Sequence, residues 1–390
     1  MVTSTQTFLY KGILSTLAFI YFFIMPSLMF SQIPRQKDLF TEVDLKNVKL
    51  SPNQENILNT LRQNDATLGL RLVKVNTAYL VDESSININL FSNENFIAVK
   101  EKIGLSNTNV FTWYGSIPEK FGTTILSVCQ EAVVGFVSID HESYNLQSLG
   151  DGLHVITKVD PDKYAPCGNS NRAQKVQFIA PLGEGIQDTS QINTRTTFLK
   201  NKSIHSQKGN ISVLNRVNTI TTLKVFVAYT TAAKNGAGGT NGIRALIANA
   251  IAAANQSYIN SGNIPMQLDS ARTVEVSYTE SNATEPPFTD ECNYQIYRLT
   301  ALARFQNPSD GYMDEIHDLR GIYGADIAVL IAGNQSLIGT CGEAFTVEAI
   351  SNEAFCVVAY DCAAAANQWS FAHEIGHLQG ARHSIENDQQ

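Results

Sequence analysis

The stretch FAHEIGHLQGARH, residues 371–383, constrains this 390-residue chain more than any other feature of its sequence. It contains three of the seven histidines, at positions 373, 377 and 383. Residues four apart share one face of an α-helix, so His373 and His377 can direct their imidazoles at a common point. On a straight helix His383 would lie about 15 Å along the axis from His373. We therefore predict that the helix ends near Gly380, because glycine adopts the left-handed conformation that ends helices at little steric cost.

With such a turn, the three imidazoles can hold one metal ion. Nitrogens that share a zinc ion lie about 2.0–2.1 Å from it, and three protein ligands leave a fourth position for water. Glu374 follows His373 and points about 100° away around the helix, which suits a general base that takes a proton from that water. The alternatives are histidines that only pack in a helix, and a structural zinc site. Cysteines would more often close a structural site, and none lies in the motif.

The N-terminal residues predict export. Lys11 precedes an apolar run over residues 13–30, and Ser31 and Gln32 follow, which is the pattern of a signal peptide over residues 1–32. An uncleaved membrane anchor is the alternative, although Pro26 interrupts the run. We expect a secreted, extracellular protein without stable membrane association. The six cysteines, an even number, then favour disulfides whose pairing the sequence does not define.

Composition and charge exclude two further classes of protein. Hydrophobic residues make up 44% of the chain, which is enough for packed cores and excludes a disordered protein. The net charge is −8, and residues from Asn218 onward hold 8 Lys and Arg against 18 Asp and Glu. The preceding part holds 20 against 18, so its excess of positive charge is only +2. No strongly basic region exists, and we expect no nucleic-acid partner.

The pattern of residue types divides the chain into three further parts. Residues 33–181 are strand-like, with short β-branched and aromatic runs separated by turn signals such as LGDG. Residues 182–217 are polar, and we predict a linker that is cleaved on activation, after Lys208 or Arg216. Residues 218–390 alternate between strands and helices, which predicts an α+β (α/β-like) domain with a mixed sheet under helices. The predicted strands are LKVFVAYT, TVEVSY, IAVLIA, CGEAFTV and FCVVAY, and the predicted helices cover residues 243–258, 296–305 and the histidine motif from about Gln368.

HEIGHLQGARH, YGADIAVLI at residues 323–331 and the Cys341-Gly342 turn resemble the metzincin zinc metalloendopeptidases, in their reprolysin-like and peptidyl-Asp metalloendopeptidase branch. The resemblance implies Zn²⁺ held by His373, His377 and His383, with Glu374 as the general base. It implies a catalytic domain with a twisted mixed sheet and an active-site helix, preceded by a strand-rich prodomain. It also implies a zymogen that acts on protein or peptide substrates and is inhibited by its own prodomain.

The sequence departs from this family at its end. Ser384 follows the third histidine where reprolysins usually show Asp, and no methionine-containing turn follows before Gln390. We expect that the native chain continues beyond Gln390. Cleavage specificity, calcium sites and oligomeric state cannot be predicted.

Cys167, in APCGNSN, has two interpretations. We expect a disulfide with Cys129. The alternative is a prodomain latch that binds zinc through its thiolate, since Pro-Cys-Gly is shared with such latches. Two other functions also remain open: a secreted binding or adhesion protein with an inactive metalloprotease-like module, which an intact Glu374 argues against, and a zinc hydrolase with a non-peptide substrate.

Overall fold

A computed structural model describes residues 36–106, 109–168, 220–262, 264–281, 283–284, 288–289, 295–296 and 298–383. The predicted signal peptide, the predicted linker with Lys208 and Arg216, and Cys292 lie outside these residues. In the ranges just given, no helix combines the length and the apolar character that crossing a bilayer requires. We call residues 38–168 the leading region and residues 220–383 the trailing region.

The leading region is built on one antiparallel sheet of nine strands, in the order β1-β2-β9-β8-β7-β6-β5-β4-β3. Its strands are β1 Phe40–Glu42, β2 Thr67–Val75, β3 Ser85–Phe91, β4 Glu94–Ser106, β5 Val110–Ile117, β6 Gly122–Cys129, β7 Ala132–Ile139, β8 Glu142–Gly150 and β9 Leu153–Val159. Two helices, α1 Pro52–Gln63 and α2 Thr77–Asp82, were not predicted. Helix α1 begins at a capping box, in which Ser51 and Gln54 satisfy each other's backbone N–H groups.

Tight turns produce the consecutive hairpins of this sheet. Asp151 and Gly152 join β8 to β9 with φ of 52° and 70°, as a two-residue turn between twisted strands requires. Gln130 and Asp140 adopt the same left-handed conformation at the β6–β7 and β7–β8 turns. The described part of the region predicted to be strand-rich, residues 36–168, consists mainly of strands, and LGDG contains a turn.

The trailing region has a mixed five-stranded sheet in the order β11-β10-β14-β16-β15. Its strands are β10 Thr221–Thr230, β11 Met266–Val276, β14 Ile327–Ala332, β15 Gly342–Ala344 and β16 Phe355–Ala359, and a separate two-stranded ladder pairs β12 Phe288–Thr289 with β13 Gln295–Ile296. All pairs of the large sheet are parallel except β15 with β16, so β15 is an antiparallel edge strand. The helices are α3 Thr231–Gly236, α4 Thr240–Asn260, α5 Thr300–Gln306, α6 Glu315–Ile322, α7 Gln335–Ile338, α8 Tyr360–Ala363 and α9 Ser370–Leu378.

Most of the predicted elements of the trailing region are present. The predicted helix over residues 296–305 is wrong at its start, because Ile296 pairs with Phe288 in β13 and the helix begins at Thr300. Helices α3, α6, α7 and α8 were missed. The last two have four residues each, too few to show a helical period.

The expected disulfide between Cys129 and Cys167 is wrong. Among the cysteines that the structure describes, Cys341 is bonded to Cys362, whereas Cys129, Cys167 and Cys356 form no disulfide. Cys129 is buried at the end of β6 beside Asn241, while Cys167 lies among the motif histidines. Spacing along the chain could not reveal this, because it does not report which thiols meet in space.

Candidate metal centre

Helix α9 ends as its sequence predicts. Gly380 has φ of 96°, in the left-handed region. Its N–H donates to the carbonyl of His377 at 2.9 Å, and the N–H of Ala381 donates to the carbonyl of Gly376 at 2.9 Å. This pair of bonds is a Schellman motif, which satisfies carbonyls at the helix end and reverses the chain. The reversal returns His383 to the face of the helix that carries His373 and His377.

The three imidazoles converge on one point. The Nε2 atom of His373 lies 3.0 Å from Nε2 of His377 and 3.0 Å from Nε2 of His383, and the third separation is 3.2 Å. Nitrogens bound to one tetrahedral zinc ion would be about 3.3 Å apart. The donor set therefore fits a zinc ion, which supplies the reason for three basic nitrogens to meet at this distance.

The protonation of these histidines suits metal binding. Nδ1 of His377 lies 2.9 Å from the carbonyl oxygen of Ala381, so Nδ1 carries the proton and donates it, which leaves the lone pair of Nε2 for a metal. Burial, together with the neighbouring His377 and His383, lowers the pKa of His373 to about 4. His373 is therefore neutral at neutral pH, as a ligand must be.

A fourth side chain completes the cluster from the leading region. The Sγ atom of Cys167 lies 3.7 Å from Nε2 of His377, and the ligand atoms of Cys167 and the three histidines all lie within 4.8 Å of one another. A sulfur and a nitrogen on one tetrahedral zinc ion would be about 3.6 Å apart. The geometry thus agrees with the latch interpretation of Cys167, which the sequence left as the alternative.

Residues 164–168, which we call the strap, carry Cys167 across the trailing region. The N–H of Ala165 donates to Oε1 of Gln335 at 2.7 Å, and the hydroxyl of Thr340 donates to the carbonyl of Pro166 at 2.6 Å. A side chain on Gly168 would come within 2.9 Å of the Cβ of Glu343, so the strap lies flat against β15. These bonds hold Ala165 and Pro166 in place, and thereby fix the position of the thiol of Cys167 that follows them.

A partly buried carboxyl group, that of Asp361, supports the strap through Gln335. The N–H of Gln335 donates to Oδ1 of Asp361 at 2.9 Å, and its Nε2 donates to Oδ2 at 3.3 Å, which orients Oε1 toward Ala165. Burial raises the pKa of Asp361 to about 6, although the bonds from Gln335 act in the opposite direction. Cys362 follows in helix α8 and ties it to Cys341, next to Thr340.

Glu374 lies beside the cluster and is not a member of it. Its side chain is buried against the backbone of Gly342, where an added Cβ would come within 2.7 Å of its Cγ, and its Oε2 is 3.7 Å from Sγ of Cys167. The carboxylate thus occupies the wall of the site between the metal ligands and the edge strand β15.

Comparison with known proteins agrees with this site. Residues 219–390 match the model of a family described as metallo-peptidase family M12 of the reprolysin type. This match supports a metallopeptidase domain over residues 219–390. This metalloendopeptidase domain contains every motif residue discussed above except Cys167 and the rest of the strap.

Three curated relatives share the printed name peptidyl-Asp metalloendopeptidase. The relative from Xanthomonas campestris is 27% identical over 85% of this chain and 72% of its own length. Two from Stenotrophomonas maltophilia are 34% identical over 68% of this chain and 52% of the relative, and 28% identical over 87% and 73%. Each alignment covers more of this chain than the metallopeptidase domain alone. A solved structure titled "Structure of a chaperone-substrate complex" covers 33% of this chain and 90% of its own, with 10% identity and a TM-score of 0.24, from which we infer nothing.

Sequence reasoning identified the four motif residues and missed the residues that carry the strap. Gln335, Thr340 and Asp361 contact the strap or its support, and none belongs to a recognisable motif. The only signal for the strap was the Pro-Cys-Gly character around Cys167. The metallopeptidase domain itself contains no sign of which upstream segment lies on it.

Proposed function

We propose that this chain is a secreted zinc endopeptidase that is made as a zymogen. The observation that carries the proposal is the convergence of three Nε2 atoms within 3.2 Å of one another, beside the buried carboxylate of Glu374. Three neutral imidazoles match the ligand count of catalytic zinc sites. This arrangement supports the proposed roles of His373, His377 and His383 as ligands and of Glu374 as base.

The residues around the cluster provide the remaining functions of a peptidase. When bound, zinc would polarise the scissile carbonyl and acidify a water molecule. Glu374 takes a proton from that water and passes it to the leaving amine. Strand β15 lies at the edge of its sheet, where an extended substrate can add as a further strand, and Gly342 leaves room for the Glu374 side chain next to it. Water attack and amine release thereby take place against one wall of the cleft.

The leading region acts as the inhibitory prodomain in this proposal. Its strap lies against β15 and places Cys167 beside His377 and Glu374, so substrate and strap exclude one another. A thiolate at the metal would also take the position that water needs. Activation then requires displacement of the strap after cleavage within residues 182–217.

We extend to this chain the preference named in its relatives, and propose that it cleaves peptide bonds next to aspartate. The alignments that include the leading region as well as the metallopeptidase domain support this extension.

Hydrolysis of casein tests the proposed function. Full-length protein, processed by its activating cleavage, is incubated with casein with and without a chelator, and zinc is then added back. We expect cleavage that stops with the chelator and returns with zinc. Absence of cleavage by fully processed, zinc-loaded protein would favour a binding or adhesion protein, and hydrolysis of a non-peptide substrate alone would favour another hydrolase.

A further inference from the structure

The leading and trailing regions pack against each other through shared buried clusters. Contacts place the described residues from Asp38 onward in a single compact unit. Helix α4 is buried around nearly its whole circumference, with strands β5 to β8 on one side and its own sheet on the other. Val110 and Val134 of the leading region belong to the same buried cluster as Ile243, Leu246 and Ile247 of α4. Separating the regions would therefore expose an apolar helix face to water.

Polar groups also pair across the same surface. Asn249, which is fully buried in α4, donates from Nδ2 to the carbonyl of Ile125 in β6 at 3.0 Å. Gln147 of β8 donates to the carbonyl of Gly236 at 2.7 Å. The amide of Asn241 donates to Oε1 of Gln130 at 2.8 Å. Such bonds hold the regions in one register, because any sliding would leave these groups unpaired.

A third set of contacts holds the turn that starts helix α9. The N–H of Ala366 donates to Oδ1 of Asn145 at 2.7 Å, and Nδ2 of Asn367 donates to the hydroxyl of Ser143 at 2.6 Å. The ring of Trp369 packs on Phe136 with centroids 5.8 Å apart. Asn367 and Trp369 have φ of 60° and 39°, a left-handed conformation that is unfavourable for most residues other than glycine. Strands β7 and β8 thus stabilise an unfavourable turn directly ahead of His373.

We infer that cleavage between the two regions does not release the leading region, which stays bound to α4 and to the turn at residues 366–369 and keeps the strap over the metal centre. None of these contacts involves Cys167 or a residue of the predicted linker. Activity therefore needs a second event that removes the leading region, such as its digestion. The expected lack of peptidase activity in the cut protein rests on the proposed function. The retained complex itself does not.

Nicked protein provides the test. A recognition sequence for a site-specific protease is inserted after Lys208 in the full chain, the purified protein is cut to completion, and the fragments are followed by size-exclusion chromatography at micromolar and nanomolar concentration. We expect both fragments to elute together, with casein hydrolysis still suppressed. A chelator should leave the complex intact, because its contacts do not require metal. Separation of the fragments on cutting alone, or on chelation, would overturn the inference.

Matched variants locate the binding surface. Changing Asn145→Ala together with Ser143→Ala removes both bonds to the α9 turn. We expect the dissociation constant of the nicked fragments to rise about tenfold or more, which is the change that loss of a buried hydrogen bond produces. Asn76→Ala is the control, since Asn76 bonds to Asp38 and Thr41 within the leading region. Asn241→Ala tests the other end of the surface from the trailing side, should the double variant fold poorly. Equal retention in all variants would contradict the assigned surface.

The two proposals can fail separately. Retention is read from elution and needs no enzyme activity. If the fragments stay together but digestion of the leading region yields no peptidase activity, the proposed function fails and the retained complex stands. If digestion yields activity but the nicked fragments separate unaided, only the inference of retention fails.

Discussion

The two large sheets of this molecule differ in which residues their connections bring together. In the leading region, strands β3 to β9 are neighbours in space in the order in which they occur in the chain, joined by tight turns. Each residue therefore meets partners from the next hairpin. In the trailing region the parallel strands β10, β14 and β16 are joined by helical crossovers, which gather distant residues beside one edge. The comparison shows why the three clustered histidines and Glu374 all lie in the trailing region, while the leading region adds only its last described residues, the strap.

Substitution of the base should have the largest effect. We expect Glu374→Gln to lower casein hydrolysis by about 10²–10⁴-fold, since the amide cannot accept the proton from water. Zinc content should stay near that of the wild type, because Glu374 lies outside the ligand cluster. Activity assays and metal analysis of the same sample check both expectations. Loss of zinc in this variant would make Glu374 a ligand.

Removal of the third histidine should weaken metal binding. We expect His383→Ala to lower zinc affinity at least about a hundredfold, more than the loss of a group that only orients a ligand. Competition with a chromogenic chelator measures this affinity. His141→Ala is the control, because His141 lies at an exposed turn of the leading region. Equal zinc affinity in the two variants would mean that the turn at Gly380 does not bring His383 to the metal.

The two regions should respond to pH in opposite directions. His154, buried in β9, accepts a bond from the N–H of Val133, and burial lowers its pKa to about 4. The unfolded chain takes up a proton near pH 6.5 that folded His154 does not, so stability falls as pH decreases from 6.5 toward 4, by about 2.5 kcal/mol at pH 4.5. The pKa of Asp361 is raised in the folded protein, so folded Asp361 stays protonated at pH values at which the unfolded chain has lost this proton. Stability therefore falls as pH rises from about 4 through 6.

Urea unfolding between pH 4 and 7 separates these contributions. His154→Gln, which keeps an acceptor for Val133, should flatten the acid side of the stability profile. Asp361→Asn should flatten the decrease between pH 4 and 6. A profile unchanged by either variant would show that the group does not titrate in a buried site.

Removal of the thiol should have the smallest of these effects. We expect Cys167→Ser to raise the basal peptidase activity of the uncut chain by about tenfold, because the remaining strap contacts with Gln335 and Thr340 still cover the cleft. Cys129→Ala is the matched control and should remain latent, since Cys129 is a separate buried thiol. Equal activation in both variants would instead indicate that the two cysteines act together.

The sequence predicts the parts of this molecule that are set by local rules. The spacing of the histidines, with glycine at 380, defines the helix, the turn and the meeting of the imidazoles, since each depends on residues within one motif. The LGDG hairpin is predictable for the same reason. The environment of Cys167 is not, because it depends on a contact between residues about 210 positions apart. The left-handed turn at Asn367 and Trp369 was equally hidden, since partners in β7 and β8 stabilise it.

X-ray absorption at the zinc edge tests the central claim most directly, which is that the trailing region supplies three metal ligands and the leading region a fourth. The full-length chain, loaded with one zinc ion, should show three nitrogen neighbours and one sulfur neighbour. In Cys167→Ala the sulfur should be replaced by a light atom while the three nitrogens remain. A full-length spectrum without sulfur, with zinc bound by the histidines, would contradict the account, because Cys167 would then lie near the metal without binding it.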